Sequence, residues 1–578
     1  MLLIMAGLFF FGFIFIGIGL LIFRPSADSD LGIKDFLRLF WIGLVFSIGF
    51  LQIWHLFFPI NLACLIVHIL AALAGYILAR KNVISAIRRL KWQNALPGMM
   101  AMILTGIVIG AFSIGGNLHF DHGMYHLQTV QWLENYAIVP GLGNVHHRLA
   151  FNNASFLYVS LVNQGIFHGY AFYIANCLLA WLLVLQCMVS VTRLTMRESR
   201  PKKADYYYAL ILPFFLWYMP NFYFSGYSPD LFIAVLQVLL AGELIALGEN
   251  INNPASLRRN VNLILLLGVL MICIKLSGLV YAAAFMLAAI IIFFKKNVGN
   301  KQELKFLWSR IPMLLLLGIP WLVRSVILSG YLVYPTAIIS FDFIWKIPRT
   351  MVEPITGVIY NWSRYGNTIS PDTPFLQWLP QWLWTVPRGL REGWILGVPL
   401  LLVVLVFWLI KKFRLEDHKA EFLAIGFALL HILYWFLAAP EIRFIGMAYW
   451  IAFAIILSVL VEWFAQSMPQ VSKKGLSLVI IALALFLLSP EVPRDFGIKR
   501  TLVKPPSENK IATQFVSHED LVSKTTLSGL TVYLANDESL EGCWDLPLPC
   551  TRTADFYNKL ALIDPNDMQK GFYIKFPE

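Results

Sequence analysis

Residues 2–23 read LLIMAGLFFFGFIFIGIGLLIF, an apolar run that no charge interrupts before Arg24. A helix of about twenty such residues spans the ~30 Å hydrocarbon layer of a bilayer while satisfying its own backbone. Similar runs recur near 39–58, 61–79, 97–114, 171–192, 206–223, 229–248, 261–274, 277–294, 309–328, 393–410, 421–438, 443–463 and 475–489, about fourteen in all. Composition agrees. Hydrophobic residues make up 58% of the 578 and charged ones 13%, about half the charge of an ordinary soluble chain. The fold class expected is an all-α polytopic membrane protein of about 14 transmembrane helices over residues 1–489, with interfacial helices in its external loops. Residues 490–578 turn polar, with strand-like runs at 530–534 and 571–576. They are expected to form a small α/β extracytoplasmic domain stabilised by docking on the membrane part.

The net charge of +12 belongs to short loops between spans, and no nucleic-acid partner is expected. The basic loops lie at 80–91, 193–203, 258–259, 295–310, 411–419 and 473–474, all on one side of the count. The positive-inside rule makes that side cytoplasmic. Loops 115–170 and 329–392 and the tail then face outward. The first run lacks the basic flank and small-residue cleavage site of a secretory signal, so a retained first span with its N-terminus outside is expected. Cys64, Cys177, Cys187 and Cys273 fall within spans and read as apolar packing residues. Cys543 and Cys550, with prolines between them in an oxidising compartment, read as a disulfide.

Loop 115–170 holds six of the eleven histidines (His119, His122, His126, His146, His147 and His168), along with Asp121, Tyr125, Glu134, Arg148, Asn152 and Asn153. A connection to the next helix has no need of so many titratable groups. Asp121 stands just past a membrane exit marked by Gly115 and Gly116. Tyr125, Thr129, Trp132 and Tyr136 then follow helical spacing, as on an interfacial helix. An acid at the foot of such a helix suits a general base. His122 and His126 share a helix face and, with Asp121, are the candidate ligands for a divalent metal. His147 and Arg148 form a cationic patch suited to an anionic group. Loop 329–392, with Trp345, Trp362, Trp378, Trp382 and Trp384, reads as helices lying at the membrane surface.

Other ionisable residues interrupt or flank spans on the same outer side: Asp230, Lys275, Arg324, Glu441 and Arg443. Charges near a membrane core are costly and face a cavity or a partner. Taken with Asp121, these five imply one shared cavity with an acid for proton abstraction and cations for a phosphate.

The segments FDHGMYHLQ (120–128), VPGLGNVHHRLAFN (139–152), 324–335, 439–444 and CWDLPLPC (543–550) resemble a family of uncharacterised bacterial multi-pass proteins. More distantly, the layout resembles the C-type glycosyltransferase superfamily, with its many spans, an acid in the first large external loop and neighbouring interfacial helices. This chain departs from that pattern in having four expected spans before the acidic loop and a histidine, His122, where a second acid often stands. The resemblance implies an inverting glycosyltransferase that takes a sugar from a polyprenyl-phosphate donor to a lipid, glycan or protein acceptor. It makes Asp121 the catalytic base. Lys275, Arg324 or Arg443 would hold the donor phosphate, and His122, Tyr125, His126, His147, Arg148, Asn152, Asp230 and Glu441 would complete the substrate site. The location it implies is a bacterial inner membrane with the site facing the periplasm and lipids as partners. The alternatives are a transporter or flippase of lipid-linked glycans, and a surface-glycan polymerase or ligase.

Overall fold

The computed structural model describes residues 1–25, 31–89, 92–115, 120–195, 201–219, 224–365, 370, 372–385, 415–467, 521–526, 528–535, 542–551 and 558–575. The amino-terminal helices are α1 (Leu2–Ile22), α2 (Ile33–Trp54), α3 (Leu62–Leu78), α4 (Arg80–Arg89) and α5 (Trp92–Gly115). The acidic loop carries two short ones, α6 (Leu127–Asn135) and α7 (Ser155–Val162). Next come α8 (Ala171–Thr195), α9 (Lys203–Tyr218), α10 (Asp230–Glu249), α11 (Pro254–Ile274), α12 (Leu279–Lys296), α13 (Lys301–Trp308) and α14 (Ile311–Ser329). The Trp-rich loop holds α15 (Arg349–Tyr365) and α16 (Phe375–Thr385), and the last described helices are α17 (Lys419–Ala438), α18 (Ile442–Ile445) and α19 (Ala448–Ser467).

Among the described residues nine helices are long and apolar enough to cross a membrane, or ten if α3 and α4, bent by 72°, make one broken span. The expected count of about fourteen is not confirmed among the described residues, for three reasons. The run at 206–223 folds as α9, whose 16 residues fall short of the ~20 a span needs. The run at 443–463 is broken at Gly446, whose φ is +60, leaving the shorter apolar helix Ala448–Trp463. The runs at 393–410 and 475–489 lie outside the described residues.

Close backbone contact joins the first three helices. A Cβ on Gly43 of α2 would sit 1.8 Å from the Phe15 carbonyl oxygen of α1, and one on Gly75 of α3 would sit 1.9 Å from that of Gly17. Small residues at such crossings replace the hydrophobic effect, which gives little drive between helices already in lipid. One end of the bundle gathers the basic loops into ion pairs: Lys34–Asp205 at 2.6 Å, Arg38–Glu243 at 2.9 Å, Lys203–Glu421 at 3.0 Å and Arg258–Glu303 at 2.6 Å. Lys203, Arg258, Glu303 and Glu421 therefore gather at one end. Asp121 and its neighbours lie at the other end of the helices. Cys64, Cys177, Cys187 and Cys273 are free and buried.

The tail forms two antiparallel hairpins, β1 (Leu521–Thr525) with β2 (Thr531–Ala535) and β3 (Leu560–Asp564) with β4 (Asp567–Ile574). Where an α/β domain is expected, the regular elements among the described tail residues are strands. Cys543 and Cys550 are disulfide-bonded, with Cα atoms 5.9 Å apart. That loop docks on the acidic loop. Trp544 donates its backbone N–H to the Gly123 carbonyl at 2.7 Å, and Gln128 Nε2 donates to the carbonyls of Trp544 at 3.1 Å and Leu546 at 2.8 Å. Thr551 Oγ1 donates to the Val145 carbonyl at 2.9 Å, and Phe572 N donates to that of Pro140 at 3.0 Å. A Cβ on Gly123 would lie 2.1 Å from the Trp544 ring. Gly123→Ala is expected to push Trp544 off this seat and cost about 1–3 kcal/mol, as overpacking does. Limited proteolysis of detergent-extracted protein should cut the variant's tail faster than the wild type's, and an unchanged rate would contradict the docking.

Candidate functional site

Phe120 through Leu127 form a widened turn rather than the regular interfacial helix expected, with π geometry over His122–His126 before α6 begins. The glycine at 123 permits the close approach of the tail described above. Tyr125 and Trp132 are buried, so the expected interfacial face packs inside the protein. At the start of this turn Asp121 is 6% exposed. Each of its carboxylate oxygens receives a guanidinium: Oδ1 from Arg148 Nη1 at 2.7 Å, and Oδ2 from Arg443 Nη1 at 2.8 Å. Arg148 comes from a 3-10 turn at His147–Ala150, and Arg443 from α18, over three hundred residues away in sequence.

Arg443 Nη1 also lies 3.7 Å from Oδ2 of Asp230, the first residue of α10, whose Oδ1 pairs with Lys275 Nζ. Lys275 sits in the turn between α11 and the next helix. Its ammonium stands 4.1 Å from the centre of the Phe444 ring, and Arg443 stacks 5.0 Å from the same ring and 5.9 Å from Trp362. Five of the residues singled out in the sequence, Asp121, Arg148, Asp230, Lys275 and Arg443, thus form one continuous chain of opposite charges. Glu441, two residues before Arg443, feels the same groups.

Burial and Coulomb forces compete here. Burial pushes the Glu441 carboxyl up, with Arg443 opposing it. Burial pushes the Lys275 ammonium down against the pull of Asp230. For Arg443 burial again works against the charge, but Asp230 and Asp121 outweigh it and the net direction is up. Three basic side chains thus meet two paired carboxylates, with Glu441 beside them.

Two other expectations meet a different geometry. His122 Nε2 accepts the Tyr227 backbone N–H at 2.5 Å, and both Asp121 oxygens hold arginines. Among the described residues Asp121, His122 and His126 do not form a group of converging ligand atoms. Among the described residues the group whose ligand atoms do converge, within 4.8 Å, is His418, Glu421 and Glu462 at the basic end, where Lys203 already pairs with Glu421. Arg324 and Asn152 do not join the Asp121 chain either. They line a neighbouring cavity with His55, Trp132 and Arg148. His147 stacks on His146 with ring centres 4.8 Å apart.

Sequence reading missed the residues that hold Arg443 in place. Gln237, a polar residue within the apolar run of α10, accepts the Met447 N–H at 2.6 Å and donates to the Ile445 carbonyl at 3.3 Å. A Cβ on Gly446 would lie 2.1 Å from its Oε1. An amide inside a lipid-spanning run was the available signal. Arg364 of α15 donates to the Phe436, Leu437 and Ala438 carbonyls at 3.1, 2.6 and 3.2 Å, tying the Trp-rich loop to the end of α17 beside the site.

Glu134 on α6 accepts from Asn163 Nδ2 at 2.8 Å, and burial raises its pKa from 4.5 to about 7 despite that bond. The folded state thus holds the proton more tightly than the unfolded chain. The associated stability is full below about pH 4.5 and is lost as pH rises through about 7. Wild-type melting temperature is expected to fall between pH 5 and 8 more steeply than that of Glu134→Gln. Parallel profiles would contradict this.

No curated protein and no solved structure matches the chain. A family model described as a domain of unknown function, DUF8201, matches residues 1–451, which take in the whole charge chain and the neighbouring cavity, and the protein belongs to that family.

Proposed function

We propose that the protein is an integral-membrane glycosyltransferase of a bacterial inner membrane, acting at the periplasmic face on a polyprenyl-phosphate sugar. The observation that carries this reading is the convergence of Asp121, Arg148, Arg443, Asp230 and Lys275 at one end of the helices. A lipid phosphate arriving from the bilayer meets cations there at the level of its own headgroup. The distant resemblance to C-type glycosyltransferases supports the reading by position, since Asp121 stands in the first large external loop.

The doubly paired carboxylate fits such a cycle. Without substrate, Asp121 is clamped by two guanidiniums, which disfavour proton uptake by the carboxylate. A donor phosphate offers the arginines a competing bidentate partner. As Arg443 or Arg148 turns to the phosphate, one Asp121 oxygen is released to accept the proton of an acceptor hydroxyl. The deprotonated acceptor oxygen then attacks the anomeric carbon as the bond to the phosphate oxygen breaks. The electron pair leaves with the lipid phosphate, whose charge Arg443, Arg148 and Lys275 stabilise. The sugar is transferred with inversion. Trp362, which faces Arg443, would offer a stacking surface to the sugar.

Cells carrying Asp121→Asn at wild-type protein level are expected to lose one sugar from a surface glycan or lipid and to accumulate its lipid-linked donor. Mass spectrometry of both pools reads this. Loss of a general base typically slows the step about 10²–10⁴-fold, and unchanged pools would overturn Asp121 as the base.

A further inference from the structure

Beside the charge chain lies a second polar pocket, built around Arg324 near the outer end of α14. Arg324 is 4% exposed. Its Nη1 donates to His55 Nδ1 at 2.7 Å and its Nε donates to Asn152 Oδ1 at 3.3 Å. Because a guanidinium only donates, His55 receives it as a neutral ring with its proton on Nε2. Both partners are uncharged, and among the described residues no carboxylate pairs with Arg324. Two of its five N–H groups are used, leaving Nη2 and half of Nη1 with no acceptor.

An unpaired buried cation is among the most costly groups a fold can carry. Trp132 adds a second, independent donor on the same cavity: its ring is 3% exposed and its Nε1 has no acceptor. Arg148 forms part of the wall, so the cavity borders the Asp121 chain. The remaining lining is largely apolar, Leu133 and Phe156 among it.

Arg324 is oriented by Asn152. Asn152 has φ +46, a left-handed conformation that asparagine tolerates better than most residues. A reciprocal clasp fixes it, with its Nδ2 donating to the Trp321 carbonyl at 2.7 Å and Trp321 Nε1 donating to the Asn152 carbonyl at 2.8 Å. That clasp aims Asn152 Oδ1 at Arg324. Hydrogen-bond donors without acceptors, fixed in advance around one cavity, are what recognition of an anion requires.

We infer that this pocket is a binding site for a small oxyanion, a phosphate or carboxylate group, held by the free Arg324 N–H groups and by Trp132 Nε1. The site stands apart from the Asp121 chain and does not depend on which reaction that chain performs.

The test is thermal unfolding of the full-length protein in detergent, titrated with inorganic phosphate or acetate against sodium chloride at matched ionic strength. Wild type should melt several degrees higher with one of the two anions, saturating with concentration, and the stronger anion names the class as phosphate or carboxylate. Arg324→Gln should lose that shift while retaining its melting point in chloride or gaining. Trp132→Phe, which keeps the ring and removes the donor, should weaken apparent affinity about 10- to 150-fold, the value of one buried hydrogen bond to a charged group. Arg443→Gln should keep the shift, separating this pocket from the Asp121 chain. Absence of any anion-specific shift in wild type, or an equal shift in Trp132→Phe and Arg324→Gln, would overturn the inference. Should Arg324→Gln not fold, the Trp132→Phe titration decides alone.

Discussion

Asp121 is the keystone of the outer end of this molecule. One carboxylate receives Arg148 from its own loop and Arg443 from the far end of the helical domain, so segments over three hundred residues apart are joined through two short charge-assisted hydrogen bonds. Paired charges out of water are strong contacts only when every lone pair and proton finds a partner. The pairing is extended from one group to the next. Arg443 reaches on to Asp230, and Asp230 to Lys275, which rests on Phe444. Each of these groups would be a liability alone near lipid, and together they compensate one another.

That arrangement explains why the surroundings are built as they are. The widened turn at His122–His126 lets Gly123 face the tail instead of presenting a side chain, and the disulfide-closed loop at Cys543–Cys550 sits on it. Gln237 holds the α18 turn from below, and Arg364 ties the Trp-rich loop to the end of α17. The charge chain is thereby braced from the helices, from the external loop and from the tail. Such bracing suits a site that must keep its geometry while one partner of Asp121 is exchanged for a ligand.

Much of this was legible in the sequence, and the reason is chemical. Asp230, Lys275, Glu441 and Arg443 stand out because ionisable residues beside apolar runs require partners, and the topology implied by the basic loops put them on one side with Asp121. The disulfide was readable from Cys543 and Cys550 because their spacing and setting left few other uses. The span count was less legible. Length and hydropathy cannot reveal that Gly446 would break one run, or that α9 would stop short. Arg324 looked like one more cation for the same cavity, and only the fold reveals that Asn152 and His55 draw it into a separate one. Trp132 gave no sign of its role, since an aromatic residue at helical spacing is ordinarily packing.

The central claim is that Asp121 and Arg443 are energetically one unit. A double-mutant cycle in thermal or denaturant unfolding of Asp121→Asn, Arg443→Gln and the double variant measures that directly. Each single change is expected to be costly, on the order of 3–5 kcal/mol, because it strands a buried charge, while the double change costs less than the sum by about 1–3 kcal/mol. Costs that add would contradict it, leaving the contact without the coupling on which the outer site is argued to depend.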